Sequence, residues 1–151
     1  MLSKNEYKYI QSLCQKKQRQ EERLFIAEGT KLVNELLHSH HRVRKVYALD
    51  DWAGQNGSLA DVVRVTETEL AKISSLQTPN QVLAVVEQKE PAKDPETAGQ
   101  LTIVLDGIQD PGNFGTIIRI ADWFGITQLV ASEDTVELYN RVIAKGISIS
   151  P

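Results

Sequence analysis

Leu101 to Phe124, reading LTIVLDGIQDPGNFGTIIRIADWF, constrains this chain more than any other stretch. An apolar β-type run, Leu101 to Leu105, breaks in a loop built from Asp106, Gly107, Asp110, Pro111 and Gly112, and the chain restarts as a helix at Asn113. Strand, tight loop and helix in that order commit the segment to an α/β arrangement, in which ligands gather beyond the carboxyl ends of the strands. The loop would lie there. Helix N-termini add free backbone N–H groups and the positive end of a dipole, which suit an anionic or polar ligand. Gly125 is placed to end the helix in a left-handed cap, and Thr127 to Ala131 form a second strand parallel to the first.

The rest of the chain supplies a second unit. From Leu24 to Glu90, short apolar runs alternate with helical patterns: strands are expected at Leu24 to Ala27, Val43 to Leu49, Val62 to Val65 and Val82 to Val86. Lys31 to Leu37 places Leu32, Val33, Leu36 and Leu37 on one helical face, and Thr66 with Glu69 forms a capping box that starts a helix at Glu67. Residues 51 to 60 read as a loop or short helix. Residues 87 to 100 (EQKEPAKDPETAGQ) are charged, carry Pro91 and Pro95, and read as a linker. The tail from Ser132 (SEDTVELYNRVIAKGISISP) begins a second helix at about Val136. Two strands and two helices cannot cover both faces of a parallel sheet, so the second unit reads as the first half of a domain.

Charge is unevenly placed. The net charge is −3, yet the first 23 residues hold six Lys and Arg against three Glu. Residues 3 to 23 contain no Gly or Pro, and Tyr9, Ile10, Leu13 and Cys14 make a short apolar stripe on a helix surrounded by Lys4, Lys8, Lys16, Lys17, Arg19 and Arg23. One reading is an amphipathic helix packed on its own domain. The other is a phosphate-contacting arm, in which cations neutralise phosphates and tyrosines stack on bases. The one cysteine, Cys14, excludes an internal disulfide and fits a reducing compartment, with the cytoplasm as the default; no apolar run approaches a membrane span. His38, His40 and His41 stand at a helix end without a Cys or carboxylate to complete a ligand set, so no metal is expected.

In the helix from Asn113, a good N-cap residue, Phe114, Ile117, Ile118, Ala121 and Phe124 share a face that must pack on the sheet. Gly115, Thr116, Arg119, Asp122 and Trp123 lie towards the other. Helical side chains lean towards the N-terminus, so Arg119 extends over Gly115, where the missing side chain lets its guanidinium reach a phosphate or carboxylate at the helix mouth. Alternatively, Gly115 permits close helix packing and Arg119 pairs with Asp122 or Glu137. A P-loop is excluded because no Gly-Lys-Ser/Thr follows, and a dinucleotide fingerprint because the Gly-x-Gly-x-x-Gly spacing is missing.

LDGIQDPGNFGTIIRIADWFGI resembles the first signature motif of the SpoU, or TrmH-type, RNA ribose 2′-O-methyltransferases, α/β-knot enzymes that use S-adenosylmethionine. LFIAEGTKLVNELL followed by RVTETELAKISSLQTPNQVLAVVE is similar to that family's N-terminal substrate-binding module, which resembles ribosomal RNA-binding proteins, and KKQRQEERLFIAEG is similar to the basic segment that precedes it. The resemblance implies an α/β chain in four parts: a basic helix over 1–23, an RNA-binding module over 24–88, a linker over 89–100, and the first part of an α/β-knot methyltransferase domain over 101–151. It implies catalytic roles for Asn113 and Arg119. Arg119 would contact the target phosphate and help activate the ribose 2′-hydroxyl, and Asn113 would position the arginine and the ribose. Gly115, Lys16, Lys17, Arg19 and Arg23 would bind the RNA, whether ribosomal or transfer RNA. The family's Asn-Glu-Gly-type and Ser-Leu-Asn-type motifs do not occur in this sequence, and ISISP departs from the expected Gly-rich helix continuation. A truncated methyltransferase without its S-adenosylmethionine pocket, inactive alone and dimeric only in its complete form, is therefore expected. A non-catalytic RNA-binding protein is the alternative.

Overall fold

The structure, a computed structural model, describes residues 2–58, 61–90 and 98–140. Its N-terminal module is a four-stranded sheet with helices on both faces. The strands are β1 (Leu24–Glu28), β2 (Val43–Ala48), β3 (Val62–Arg64) and β4 (Val82–Glu87), in the order β1-β4-β2-β3. β4 runs antiparallel to β1, with Ile26 opposite Val85, and to β2, whereas β2 and β3 are parallel.

Alternation along these strands feeds two cores. Phe25, Ala27, Val46, Ala48, Val82, Ala84 and Val86 pack against α3 (Thr30–Leu37) and α4 (Asp50–Asn56), through Leu32, Val33, Leu36, Trp52 and Ala53. Leu24, Ile26, Tyr47, Leu83 and Val85 face the other way, against Ile10 and Leu13 and against Leu70 and Ile73 of α5 (Glu67–Ile73). Strands buried on both faces read as unbroken apolar runs, which is why VLAVV and LFIA stand out in the sequence. The capping box forms as expected: Glu69 N–H donates to Thr66 Oγ1 at 3.2 Å, and Thr66 N–H to the Glu69 carboxylate at 2.9 Å.

The segment expected as one basic helix is two. α1 (Lys4–Ser12) and α2 (Lys16–Glu22) meet at a corner over 13–15, where Cys14 N–H bonds Gln11 O and Gln15 N–H bonds Ser12 O. Burial of Ile10 and Leu13 beside α5 fixes α1, and Arg23 ends α2 in the left-handed region at φ 56° before β1.

The second unit is a parallel pair, β5 (Thr102–Leu105) and β6 (Gln128–Ala131), joined by α6 (Pro111–Trp123). Ile103 and Leu105 of β5 and Leu129 of β6 pack with Phe114, Ile117 and Ile118. α6 ends in a Schellman motif: Gly125 has φ +66°, its N–H bonds Asp122 O, and Ile126 N–H bonds Ala121 O. Two expectations fail here. Phe124 is exposed, since as the C-cap it has turned off the buried face. The helix expected from Val136 is not formed over 136–140, which are irregular with a turn at 138–139; positions 141–151 lie outside the described residues, as do 91–97 of the linker.

Candidate functional site

α6 begins two residues earlier than the sequence suggests. Asp110 is the N-cap, with its carboxylate accepting from Asn113 N–H at 2.6 Å, and Pro111 fills the first helical position, where a missing N–H costs nothing. Asn113 is therefore the third residue of the helix and not its cap. Asp followed by Pro was the readable signal for this start. The carboxylate also offsets the dipole at the mouth, so affinity for an anion there falls to side chains more than to backbone amides.

Arg119 is the side chain in place for that. It is exposed, one turn after Gly115, and forms no ion pair among the described residues; neither surface pairing considered from the sequence is made, because Glu137 holds Arg19. Gly115 is buried, yet a Cβ there would meet no heavy atom within 4 Å beyond its chain neighbours and its own helix backbone. Close packing does not explain this glycine. No hydrogen bond joins Asn113 to Arg119: six residues apart, their side chains leave the helix about 120° from each other. Thr116, on the Arg119 side, bonds back to Gly112 O at 3.0 Å.

The mouth is braced by the loop after β6, a feature invisible in sequence spacing. Gly107, at φ +65°, donates its N–H to Ser132 Oγ at 2.9 Å; Ile108 N–H donates to Thr135 Oγ1 at 3.3 Å, and Val136 N–H to Ile108 O at 2.8 Å. Ser132 in turn donates to Asp134 at 2.6 Å, and Thr135 is buried. Both loops leave the carboxyl ends of adjacent parallel strands.

The basic residues of the N-terminal segment separate. Lys16 and Lys17 are exposed, Lys17 within 3.8 Å of Glu21. Arg23 is exposed and 3.3 Å from Glu90. Arg19 is 3% exposed, with its guanidinium bonded to Leu13 O, Cys14 O and Glu137. In this arrangement its donors are spent on protein, against the RNA contact expected from the sequence. Lys16 and Arg19 both line an open cleft of about 300 Å³ between α2 and the two loops, with Gln109, Glu133 and Asp134 opposite. This cleft carries charge of both signs, and Val104 on β5 is 71% exposed. Among the described residues, no His, Cys, Asp and Glu cluster could hold a metal; His38 Nδ1 lies 2.7 Å from Asn34 O and His41 Nδ1 2.9 Å from Ser39 Oγ.

Comparison with known proteins adds relatives to this geometry. Residues 4–84 match the MRM3-like substrate binding domain, and residues 100–148 match the SpoU rRNA Methylase family. The chain is 28% identical over 127 residues to the 23S rRNA (guanosine(2553)-2′-O)-methyltransferase RlmP of Bacillus subtilis, a match covering 83% of this chain and 50% of that protein. A TrmH-family structure from Porphyromonas gingivalis is similar with TM-score 0.82 and 35% identity, over 95% of this chain and 57% of that one. An AdoMet-bound rRNA methyltransferase from Sinorhizobium meliloti is similar with TM-score 0.82 and 28% identity, over 97% and 58%. The chain spans about half the length of the curated relatives it matches.

Proposed function

The chain belongs to the SpoU rRNA methylase family, its first half being an MRM3-like substrate binding domain, and from that premise we propose that it handles RNA for methylation of a ribose 2′-hydroxyl. The observation that carries this reading is Arg119: an exposed guanidinium without an ion pair among the described residues, beside a glycine that leaves open space, at the carboxyl end of a parallel strand pair. The planar fork of arginine binds a phosphate at two points. Held there, a nucleotide has its ribose fixed against the α6 mouth, and alignment is what a weakly nucleophilic hydroxyl most needs. A guanidinium offers donors and no acceptor, so the role of Arg119 is positioning and charge stabilisation and not proton removal. Asn113, with its side chain exposed at the third helical position, approaches the ribose from the neighbouring side of the helix.

S-adenosylmethionine is the methyl donor this reading requires, and it is the ligand bound in the Sinorhizobium meliloti relative. Lys16, Lys17 and Arg23 supply the RNA-facing charge of the N-terminal module. Self-association through the exposed Ile120, Trp123 and Phe124 of the α6 end is part of the same proposal, testable by sedimentation.

The test is filter binding of a radiolabelled RNA hairpin with a single-stranded loop, across a salt series. Affinity falls with salt; Arg119→Ala weakens it and lowers the log–log slope by about 1, the share of one phosphate contact. A DNA hairpin of the same sequence, lacking the 2′-hydroxyl, binds more weakly. Salt-independent binding, or binding unchanged by Arg119→Ala, overturns the reading.

A further inference from the structure

We propose that Arg19 is a positioning residue whose ion pair with Glu137 sets the N-terminal module against the loops that carry the α6 mouth. The residue is 3% exposed and its guanidinium is spent on protein: Nη1 donates to Leu13 O at 3.0 Å and Cys14 O at 2.7 Å, and Nε to Glu137 Oε1 at 2.5 Å. The two carbonyls belong to the α1–α2 corner, so the arginine is fixed to its own module. Glu137 comes from 118 positions away, in the segment after β6.

That segment touches both units. On one side, the Tyr139 ring packs on Phe25 at 4.8 Å between centroids, and its hydroxyl accepts from Lys89 N–H at 3.0 Å. On the other, Val136 bonds Ile108, and Thr135 and Ser132 accept from Ile108 and Gly107. Two residues after Ile108 stands Asp110, the cap of α6. An unbroken run of bonded residues therefore leads from Arg19 to the helix that presents Arg119.

Removing one member of a buried pair leaves an uncompensated charge, so the tie is expected to open when either partner is lost. The role rests on the reading of α6 as a nucleotide site. An alternative is that Arg19 contacts RNA directly, and the two accounts differ in sign at Glu137. If Arg19 were a phosphate contact, neutralising the glutamate beside it would tighten RNA binding; if it is a tie, Glu137→Gln loosens the mouth just as Arg19→Met does.

Native-state hydrogen exchange on the full chain tests this, with filter binding of the same RNA hairpin alongside. Arg19→Met and Glu137→Gln are each expected to speed exchange at Gly107, Ile108 and Val136 by about tenfold or more, while β1 and β4 amides keep their protection. Arg19→Lys, which keeps the charge, is expected to recover part of it. Both neutral variants weaken hairpin binding with the salt slope unchanged. Unaltered exchange at all three amides overturns the tie, as does tighter RNA binding in Glu137→Gln or a salt slope lowered by Arg19→Met. If the wild-type chain does not bind the hairpin, the RNA reading fails, and the exchange data still decide the tie.

Discussion

Replacing Gly115 with alanine separates structural from functional reasons for a glycine, because the two predict opposite outcomes. The residue is the fifth of α6 and has ordinary helical backbone; glycine in a helix interior costs roughly 0.5–1 kcal/mol relative to alanine. A Cβ at this position meets nothing within 4 Å, so no overpacking offsets that gain and no new contact adds to it. Gly115→Ala is therefore expected to stabilise α6 by about 1 kcal/mol, which slows exchange of its amides through local opening by about fivefold. In RNA binding the same methyl stands where a nucleotide would approach Arg119, and a misplaced methyl of this kind costs about 1–3 kcal/mol, or about fivefold to 150-fold in affinity. Hydrogen exchange across 111–124 and filter binding of the RNA hairpin read the two effects separately. Faster exchange would show that the space over Gly115 is needed for packing. Stabilised exchange with unchanged binding would show that no ligand comes near it, and the proposed role of the α6 face would fall.

Three further outcomes follow from the same geometry. Gly125 also has open space around its Cβ, but at φ +66° alanine is strained, so Gly125→Ala is expected to cost about 1 kcal/mol, read as a lower denaturation midpoint. Asp110→Ala removes the α6 cap for about 1 kcal/mol and exposes the Asn113 amide to exchange, whereas Asp110→Asn keeps most of it; equal protection in all three proteins would refute the cap. The Glu6 carboxyl is held down to about 2 from 4.5, first by Lys45 Nζ at 2.9 Å and then by Ser3. A depressed carboxylate stabilises above its unfolded value, so this contribution is whole above about 4.5 and fades as pH falls towards 2; Glu6→Gln should flatten circular-dichroism acid titrations over that window.

How far the sequence could be read depended on where each residue's partners lie. The strands were legible because burial on both faces leaves apolar runs, and the capping box because Thr66 and Glu69 are three residues apart. Asp110 was legible in principle, since Asp and Pro at a helix start are a local signal, but Asn113 offered a competing cap. The corner between α1 and α2 was not, because no Gly or Pro marks 13–15; Leu13 is drawn into the core and the carbonyls there find Arg19. Arg19 itself misled. In sequence it is one cation in a basic run, and only its distant partner Glu137 makes it an interior residue. Likewise, the hydroxyls bracing the α6 mouth, Ser132 and Thr135, look like an ordinary polar turn until the parallel pairing of β5 and β6 sets that turn beside Gly107 and Ile108.

The chain has two tryptophans, and the structure places one in each unit: Trp52 is sealed in the core under α3, whereas Trp123 is 84% exposed near the end of α6. An indole in an apolar core emits at shorter wavelength than one in water and is shielded from iodide, so each unit carries its own optical label. In a denaturant series, coincident changes of the two emissions would mark a single cooperative transition, and separated ones would mark a two-stranded unit that melts ahead of the four-stranded sheet. Iodide quenching of the red component alone, repeated with RNA present, would report whether the end of α6 becomes covered while the core stays silent.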